Sequence, residues 1–564
     1  MSNTDYRVID VETTSLDPLT CEIRGVGTYF ENPPGWGSPL GSQFWDFGQF
    51  TKVFSVNDPR TYVGHNLKYD LQVLKRHGWA PKPIDKIADT MLALWLLEPH
   101  RASQHRLGLK EAVLDLFGHK MVTFEETTWG GGTKDPIEYA KEDVTWTWKL
   151  WQFLEPKLKA RGLWDFFENV LMPLVPVIMG MEGRGVRVDP ERLAVLEADL
   201  NYRADMGKAF IKGVAGLETS VSSPKQVRAL LFGELGLQPT IVKKGKSGDQ
   251  SVDYEVLKSI PGENQVVKEI LKYREDSKLL STYVEPILTR RSSSDRIHTQ
   301  FFQVGTDVGR WSSGGGINLQ NQPREGGIRE CYIASEGHKL IVADYSQLEL
   351  RMAAHLSGDE ALIKAYKNGD DIHQLTAEAC GCPRQAAKTL NFAGLYGAGI
   401  TRLQRTLKNE AGIEVSLETT KEWRSKFFER YQGLDNYQVQ MRRHLVSNPL
   451  VRTILGRVRD TRKLKGKFAN DPNAAFRVGV HFEISGSSAD LMMLAMKHIA
   501  DREFTTLALH PLIQVHDEIV CEAPTNVVEL GCGMLKVMME NVLRLRVPLV
   551  ASVGSGNNWG EAKS

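Results

Sequence analysis

Two acidic residues near the N-terminus have the spacing of neighbours on one face of a β-strand. Asp10 and Glu12 lie two residues apart within residues 6–12, a run rich in β-branched side chains. Side chains at that spacing in a strand point to the same side of the sheet, so the two carboxylates are expected to converge. One such pair alone is more often an exposed sheet edge than a metal site.

Two further acidic residues have helical spacing. Asp70 lies four residues after Asn66, and Asp143 lies four residues after Tyr139, so each pair is expected to share a helical face. We expect the four carboxylates to gather without cationic partners, where they would repel one another unless divalent cations held them. Oxygen ligands suit Mg²⁺ or Mn²⁺, which predicts a two-metal phosphodiesterase site. Asp89 fits a helix cap better than a catalytic role.

Two aspartates in the C-terminal half lie at the ends of strand-like segments. Asp344 ends the apolar run 340–344, and Asp517 lies at the tip of a predicted hairpin, between His516 and Glu518. A carboxylate at the end of a buried strand is a natural metal ligand, and the two aspartates could share two Mg²⁺ ions. One such strand alone is more often an ordinary sheet edge.

Four side chains at intervals of four residues form a stripe along a predicted helix. They are Arg384, Lys388, Phe392 and Tyr396. Each step of four residues turns a helix by about 400°, so the stripe drifts by only about 40° per step and extends about 18 Å, which suits a nucleoside triphosphate. The cations would meet phosphates and the aromatic rings would meet sugar and base. Ala387 and Leu390 form a separate stripe that faces the core.

The elements that must position these side chains fall into three regions. Residues 1–155 alternate strand-like and helix-like segments, the pattern of an α/β domain. Residues 156–289 are mainly helical and include a predicted long helical pair, with a helix start where the capping residue Ser223 precedes Pro224. Residues 296–564 mix strands and helices.

The composition is that of a folded globular protein, with 564 residues, of which 41% are hydrophobic and 25% charged. The longest apolar stretch, 171–181, contains two prolines and is too short for a membrane span. There is no room for a leader ahead of the first strand, so a cytoplasmic location is expected. The six cysteines are expected to be reduced and structural, because no second pair joins Cys380 and Cys382 in a zinc site.

Two local basic runs stand out against a net charge of +1. Seven Lys and Arg residues lie between Arg452 and Lys467, and a second run consists of Lys243, Lys244 and Lys246. A run of this kind is either a solvated surface or a contact for a phosphate backbone, and the sequence leaves both interpretations open.

The N-terminal acidic residues, in their order and spacing, resemble the DEDD exonucleases on an RNase H-like fold, in the subtype with a tyrosine in the third motif. The resemblance covers residues 1 to about 155. It implies that Asp10, Glu12, Asp70 and Asp143 hold two metal ions. It also implies that Tyr139 orients the attacking water.

The C-terminal segments resemble motifs A, B and C of the family A DNA polymerases, the family of bacterial DNA polymerase I. The resemblance extends from about 165 to 560 and includes the segments 296–299, 306–313, 318–321 and 371–373. It implies a multidomain protein of α/β and α+β class, with an exonuclease domain at 1–155 and a right-hand polymerase domain at 156–564. The implied parts are a thumb at about 190–295, fingers at about 359–445, and a palm at about 296–358 and 446–564.

The polymerase resemblance also implies individual roles. Asp344, Asp517 and the backbone carbonyl of Tyr345 would hold two Mg²⁺ ions, with Glu518 as an auxiliary acid. Lys388 would also be the general acid for pyrophosphate. The implied nucleotide-binding residues are Arg384, Lys388, Phe392, Tyr396, His373, Glu349 and Gln347. The implied contacts with primer-template DNA are Arg310, Arg477, His516, Gln320 and Asn318.

The chain departs from the family pattern at three places. One is an extra residue in the Gly314–Gly316 run between Arg310 and Asn318, where the loop is expected to be more mobile. The family usually has glycine directly after the motif B phenylalanine, whereas here Ala393 comes first and Gly394 second. Four and eight positions after Arg477, where the family commonly has Asn and Gln, this chain has His481 and Ser485. The family pattern therefore does not predict the helix geometry or the minor-groove contacts at these points.

Three other functions compete with a DNA polymerase. A single-subunit RNA polymerase shares the palm, but that class lacks Glu349, which would lie under the incoming sugar and clash with a 2′-hydroxyl. A non-catalytic primer-template binding protein would be expected to have lost metal-site acids. An exonuclease with an unrelated helical partner would not have the stripe at 384–396.

The expected substrates are dNTPs and primer-template DNA, in phage or bacterial replication or repair. A thumb of about a hundred residues is too short for an inserted loop that recruits thioredoxin, so a monomer without that factor is expected. The start at the exonuclease domain suggests that a 5′ nuclease is absent, as in a phage-like enzyme.

Overall fold

The computed structural model describes residues 6–30, 41–84, 86–215, 220–245, 248–464, 466, 469 and 471–563. Three lysines of the two basic runs, Lys246, Lys465 and Lys467, lie outside the described residues. The chain divides into two compact units. The first unit contains Met1–Arg184, Gln300–Gly315 and Ile341–Gly554, and the second contains Gly185–Thr299, Gly316–Leu340 and Ser555–Ser564.

The N-terminal part alternates strands and helices, as the sequence predicts. Its elements are β1 (Tyr6–Thr13), β2 (Ile23–Phe30), β3 (Gly41–Trp45), α1 (Phe47–Val53), β4 (Thr61–Gly64), α2 (Leu67–Arg76), β5 (Ile87–Asp89), α3 (Thr90–Leu97), α4 (Leu109–Phe117), α5 (Pro136–Ala160), α6 (Trp164–Phe166) and α7 (Met172–Arg184).

The strand β1 lies at the centre of a five-stranded sheet with the order β3-β2-β1-β4-β5. It pairs antiparallel with β2 and parallel with β4. Val8 and Ile9 are consecutive and both buried, because α2 and α5 both pack against this strand. Asp10 and Glu12 therefore share the face of a strand that is held rigidly in the core.

The middle of the chain is mainly helical. Its elements are β6 (Val186–Val188), α8 (Pro190–Ala215), α9 (Pro224–Arg228), α10 (Tyr254–Lys258), α11 (Gln265–Leu279), α12 (Glu285–Arg290) and β7 (Arg296–Ile297). The predicted helical pair is confirmed, since α8 packs against α11 over a core that includes Ile211 and Ile270. The predicted helix start is also confirmed, because the Ser223 side chain caps α9.

The rest of the chain mixes strands and helices. Its elements are β8 (Gln300–Phe302), β9 (Ser312–Gly314), β10 (Tyr332–Ile333), β11 (His338–Tyr345), α13 (Leu348–Ser357), α14 (Glu360–Asn368), α15 (Ile372–Cys380), α16 (Arg384–Leu395), α17 (Ile400–Ala411), α18 (Leu417–Arg430), α19 (Gln432–Ser447), β12 (Leu450–Arg452), β13 (Val458–Asp460), α20 (Pro472–His498), α21 (Arg502–Thr506), β14 (His510–Val515), β15 (Glu518–Pro524), α22 (Val528–Asn541), β16 (Ala551–Gly556) and α23 (Trp559–Ala562).

A four-stranded sheet with the order β14-β15-β11-β16 carries the C-terminal aspartates. The predicted hairpin is confirmed, because β14 and β15 pair antiparallel with Val515 opposite Glu518. The turn between them requires a left-handed backbone at His516, whose φ is 53°. Asp517 therefore projects from a tight turn beside the end of β11.

The helix α16 carries Arg384, Lys388 and Phe392 of the four-residue stripe, and Tyr396 is its C-cap residue. Its opposite side is buried through Ala386, Ala387 and Leu390, which confirms the predicted core-facing stripe. The helices α15 and α18 pack on that side. Arg384, Lys388 and Phe392 remain exposed, so the fold leaves the stripe available for a ligand.

Two properties concern the whole described chain. Among the described residues, no single helix is long and apolar enough to cross a membrane. The helix α5 and the stretch Trp164–Arg184 together have sufficient length and apolar composition, but the pair is bent by 118°. None of the six cysteines, which all lie in the described part of the chain, forms a disulfide.

Candidate active sites

Three of the N-terminal carboxylates meet at one point. Asp10 and Glu12 come from β1 and Asp143 from α5, and their ligand atoms all lie within 4.8 Å of one another. Asp70 is not part of this group, although the sequence placed it there. Its Oδ1 accepts a hydrogen bond from the backbone N–H of Val11 at 2.8 Å, so it braces the strand between the two acids.

Burial and mutual repulsion raise the pKa values of this acidic cluster. Burial raises the pKa of Asp10 to about 6, although the charge of Lys110 opposes the shift. Burial, with the charges of Asp10 and Asp143, raises the pKa of Glu12 to about 9. Burial and the charge of Asp10 raise the pKa of Asp143 to about 7. These closely spaced carboxylates repel one another, and either bound protons or bound cations relieve that repulsion. Their oxygen atoms are the ligands that a divalent cation such as Mg²⁺ prefers, so the cluster fits a divalent metal site.

A cation in the acidic cluster corrects one expectation from the sequence. The four carboxylates were expected to have no cationic partner, but Lys110 of α4 reaches them. Its Nζ lies 3.5 Å from Oδ2 of Asp143 and donates to the hydroxyl of Tyr139 at 3.0 Å. The ammonium offsets part of the acidic charge. Nothing in the local sequence around Lys110 indicates this contact, which depends on how α4 packs against α5.

Asp89 has the capping role predicted for it. Its Oδ1 accepts from the backbone N–H of Met91 at 2.8 Å, at the start of α3. The same carboxylate also accepts from the backbone N–H groups of Asn66 and Leu67, at 3.1 and 2.8 Å. Asp89 thus ties the start of α2, the helix that carries Asp70, to the sheet.

The second site lies where β11 and the β14–β15 turn meet. The backbone N–H of Tyr345, the residue after Asp344, donates to the carbonyl of Asp517 at 3.1 Å. This bond holds the two predicted metal-binding segments side by side. Glu518 is different, because it is 2% exposed inside β15.

A cleft of about 230 Å³ gathers many of the predicted polymerase residues. It is lined by Arg310, Gln347, Leu348, Glu349, Phe392, Ser488, Ala489, His516 and Asp517. These residues come from the segment before β9, from α13, α16 and α20, and from the β14–β15 turn. Glu518 does not line the cleft. Motifs that are far apart in the sequence therefore face one space.

Glu349, which lines this cleft, is bonded to three other side chains. Its carboxylate forms an ion pair with Arg310. It also accepts from the hydroxyl of Tyr396 at 2.5 Å and from Oγ of Ser485 at 2.7 Å. Burial, followed by the charge of Glu349, raises the pKa of Tyr396, so this hydroxyl keeps its proton. Four side chains thus fix the floor of the cleft.

Ser485 belongs to the candidate site by its contacts, and the sequence interpretation did not place it there. It was noted only as a departure from the family pattern, yet its hydroxyl contacts both Glu349 and, at 2.9 Å, Tyr396. A signal was present, because Arg477, His481 and Ser485 follow one another at four-residue spacing on α20. His481 packs its ring 5.4 Å from that of Tyr396.

The phosphate-binding end of α16 is tied to α15. Asp371 caps α15 and forms an ion pair with Arg384 at 2.8 Å. His373 is buried and its Nδ1 lies 2.7 Å from Nδ2 of Asn391, while burial lowers its pKa. Its ring lies 6.2 Å from that of Phe392, so it supports the stripe from behind.

The displaced glycine of motif B has a packing role. A Cβ at Gly394 would lie 2.5 Å from the ring of Phe427. The Gly394 carbonyl accepts from Nε2 of Gln438 at 2.6 Å. The helix α16 continues to Leu395 without interruption. The shift by one residue therefore leaves the helix intact.

The remaining predicted DNA contacts lie in two places. Arg477 lines a second cleft, of about 510 Å³, together with Phe392, Tyr396 and His481. Asn318 and Gln320 belong to the second compact unit. There the Asn318 side chain accepts from the backbone N–H of Gln320 at 3.0 Å.

The two sheets and the acidic site on each are typical of an exonuclease fold followed by a polymerase fold. Comparison with known families gives the same division: residues 190–561 match the model of DNA polymerase family A, and residues 2–159 match a 3′-5′ exonuclease model. The chain belongs to DNA polymerase family A. The resemblance and fold class predicted from the sequence are confirmed, whereas the phage-like character stays a prediction.

Several characterised proteins are similar to this chain. DNA polymerase I of Treponema pallidum is 34% identical over 522 residues, which cover 89% of this chain and 51% of that protein. The thermostable DNA polymerase I of Thermus filiformis is 36% identical over 88% of this chain and 57% of its own length. The chain thus spans little more than half the length of these relatives.

One solved structure has a closely similar fold. The POL domain of Pol1 from M. smegmatis, in a complex with DNA primer-template and dNTP, superposes with a TM-score of 0.85. The match covers 99% of this chain and 96% of that one, at 24% sequence identity. It supports the fold of both parts of the chain.

Proposed function

We propose that this chain is a DNA-directed DNA polymerase that extends primers with dNTPs and removes 3′-terminal nucleotides with its own exonuclease. The cleft that gathers Arg310, Glu349, Phe392 and Asp517 carries this proposal. It presents a carboxylate for metal, an aromatic ring for the nucleotide, and a fixed acid where a sugar would lie. Membership of family A supports the same conclusion.

The polymerase site would hold two Mg²⁺ ions on Asp344, Asp517 and the backbone carbonyl of Tyr345. When bound, the ions would activate the primer 3′-hydroxyl and neutralise charge on the leaving pyrophosphate; Mn²⁺ has the same ligand preference. Glu518, buried in β15, would act on these ligands as an auxiliary acid. Asp344 at the end of β11 and Asp517 in the β14–β15 turn offer carboxylate oxygens, which are the ligands that these hard cations prefer.

The residues of α16 would bind and orient the nucleotide. Arg384 and Lys388 would bind the triphosphate, with Arg384 exchanging its partner Asp371 for phosphate. Lys388 would donate a proton to the pyrophosphate. Phe392 would lie against the sugar. His373 and Gln347 complete the predicted nucleotide site, and the Gln347 side chain is held by the hydroxyl of Tyr366 at 2.8 Å.

Glu349 would exclude ribonucleotides. Its anchored carboxylate stands on the floor of the cleft and would clash with a 2′-hydroxyl. This feature favours a DNA polymerase over a single-subunit RNA polymerase. The side chains that would contact primer-template DNA are Arg310, Arg477, His516, Gln320 and Asn318.

The N-terminal domain would hydrolyse 3′-terminal nucleotides. Asp10, Glu12 and Asp143 would hold two metal ions, and Asp70 would act as a further ligand through Oδ2, because its Oδ1 is bonded to the backbone N–H of Val11. The Tyr139 hydroxyl, now bonded to Lys110, would orient the attacking water. When bound, the metals would supply a hydroxide nucleophile and stabilise the departing 3′-oxygen. The proposed domains are 1–155 and 156–564, with thumb, palm and fingers at the limits predicted above.

One primer-extension experiment tests the core of the proposal. A 5′-labelled primer on a longer template should lengthen with dNTPs and Mg²⁺, and should shorten from its 3′ end without dNTPs. Chelation by EDTA should stop both reactions. A primer that stays unchanged with Mg²⁺ and with Mn²⁺ would contradict it. Gel filtration with and without thioredoxin would test the expected monomer.

A further inference from the structure

Asp307 joins two parts of the first compact unit. Its Oδ1 accepts from the backbone N–H of Ser103 at 2.9 Å, and its Oδ2 accepts from Oγ of Ser103 at 3.0 Å. On the other side, Asp307 forms an ion pair with Arg459 of β13 at 2.5 Å. Ser103 belongs to the exonuclease part, and Arg459 belongs to the polymerase part. One carboxylate therefore bonds to both.

The residues on either side of Asp307 also form hydrogen bonds. The carbonyl of Thr306 accepts from Nε1 of Trp95, in α3 of the exonuclease part, at 3.1 Å. The hydroxyl of Thr306 donates to the carbonyl of Arg310 at 2.9 Å, which closes the segment into a loop. The carbonyl of Val308 accepts from Nη2 of Arg457 at 2.8 Å.

Arg457 is itself fixed in the core. It forms an ion pair with Asp490, with both side chains at 1% exposure or less. Gly309 has a φ of +89°, and a Cβ there would lie 2.9 Å from the Arg457 guanidinium. The segment 306–310 therefore has little freedom to adopt another conformation.

The segment 306–310 ends at Arg310, which reaches Glu349 in the polymerase cleft. We propose that Asp307 is a positioning residue that sets the place of Arg310 at the primer terminus, through a bond supplied by the exonuclease domain at Ser103. This inference rests on the proposed function. It means that the exonuclease domain helps to shape the polymerase site, in addition to its own chemistry.

The charges explain why a carboxylate is needed. Arg459 is 7% exposed on its side chain, and Asp307 supplies the negative charge opposite it. Asp307→Asn keeps the shape of the side chain but removes that charge, and it weakens acceptance from Ser103. The loop would then lose its hold on the palm and on the exonuclease part together.

The test measures primer binding and chemistry separately. Asp307→Asn should raise the KM for primer-template by about tenfold, which corresponds to the binding free energy lost when bonds to a charged group are weakened. The kcat at saturating DNA should change less than about twofold. It should also narrow the preference for matched over mismatched primer ends. Digestion of a single-stranded oligonucleotide should continue at the wild-type rate.

A matched control is available in the same domain. Asp17 accepts from the backbone N–H of Leu19 at 3.0 Å and from the hydroxyl of Thr20 at 2.8 Å, and it lies on an exposed turn. Asp17→Asn weakens acceptance from the same two kinds of donor, a backbone N–H and a hydroxyl, away from the segment 306–310. It should leave the KM for primer-template unchanged.

A second variant separates positioning from general stability. If Asp307 acts through Arg310, then in an Arg310→Ala background Asp307→Asn should add less than about a twofold further rise in KM. An unchanged KM in the single variant, a full additive rise in the double variant, or a parallel fall in exonuclease rate would each overturn the inference. A wild-type protein that digests but does not extend primers would overturn the proposed function, and the inference with it.

Discussion

Replacing Glu349 by alanine should allow the polymerase site to accept ribonucleotides. The Glu349 side chain is 18% exposed and is bonded to Arg310, Tyr396 and Ser485. It cannot turn away from the cleft without breaking these bonds, so a 2′-hydroxyl would have to crowd against it. Overpacking a fixed site costs about 1 to 3 kcal/mol, or roughly 5- to 150-fold in selectivity. The ratio of ribonucleotide to deoxynucleotide use should rise within that range.

The same change should slow ordinary synthesis. Without the carboxylate, Arg310 loses its ion-pair partner and Tyr396 loses the acceptor of its hydroxyl. Loss of a hydrogen bond to a charged group costs about 1.5 to 3 kcal/mol. The value of kcat/KM for dNTPs should therefore fall roughly ten- to a hundredfold.

Single-nucleotide incorporation measures both quantities. The assay compares kcat/KM for dNTP and rNTP in an Asp10→Ala, Glu12→Ala background, which prevents excision. Glu349→Gln is the matched control, because it keeps the volume and removes the charge; it should retain most of the discrimination. If Glu349→Ala leaves the ratio unchanged, Glu349 does not guard the sugar, and Tyr396 is the next candidate.

The nucleotide stripe makes one further prediction and the acidic cluster makes two. Phe392→Tyr should raise the use of dideoxynucleotides roughly ten- to a hundredfold, because the added hydroxyl can replace the missing 3′-hydroxyl in bonding a phosphate oxygen. A competition assay measures the ratio of ddNTP to dNTP use. If the substitution leaves this ratio unchanged, Phe392 does not lie at the sugar. The pKa values of Glu12 (about 9) and Asp143 (about 7) are raised, so Mg²⁺ must displace protons from these carboxyl groups to bind. Calorimetry should therefore show that the Mg²⁺ affinity of the exonuclease site rises from pH 6 to pH 9. An affinity that does not change with pH would contradict the pKa shifts. Because the unfolded chain releases these protons near pH 4, the metal-free protein should lose stability as pH rises through the same range, and Mg²⁺ should restore it.

The sequence predicted the parts of the sites that depend on local spacing. Asp10 and Glu12 converge because side chains alternate along a strand, and the stripe on α16 is exposed because its other face carries Ala387 and Leu390. The hairpin tip at Asp517 followed from two apolar arms around a polar turn.

The contacts that the sequence did not predict all join segments that are distant in the chain. Lys110 enters the acidic cluster because α4 packs against α5, and no local pattern marks that lysine. Asp70 has the predicted helical position, yet its carboxylate turns to the Val11 backbone, since a free N–H there needs an acceptor. Ser485 replaces a larger residue in the family pattern, and only the packing of α20 against α13 brings its hydroxyl to Glu349.

The central claim is that one chain carries two separate metal-dependent activities, and one gel tests it directly. Wild type, Asp10→Ala with Glu12→Ala, and Asp517→Ala are incubated with a labelled primer-template and Mg²⁺, each with and without dNTPs. The first variant should extend primers but no longer shorten them, and the second should shorten primers but no longer extend them. If either variant loses both activities while it remains folded, the two sites do not act independently and the account is wrong.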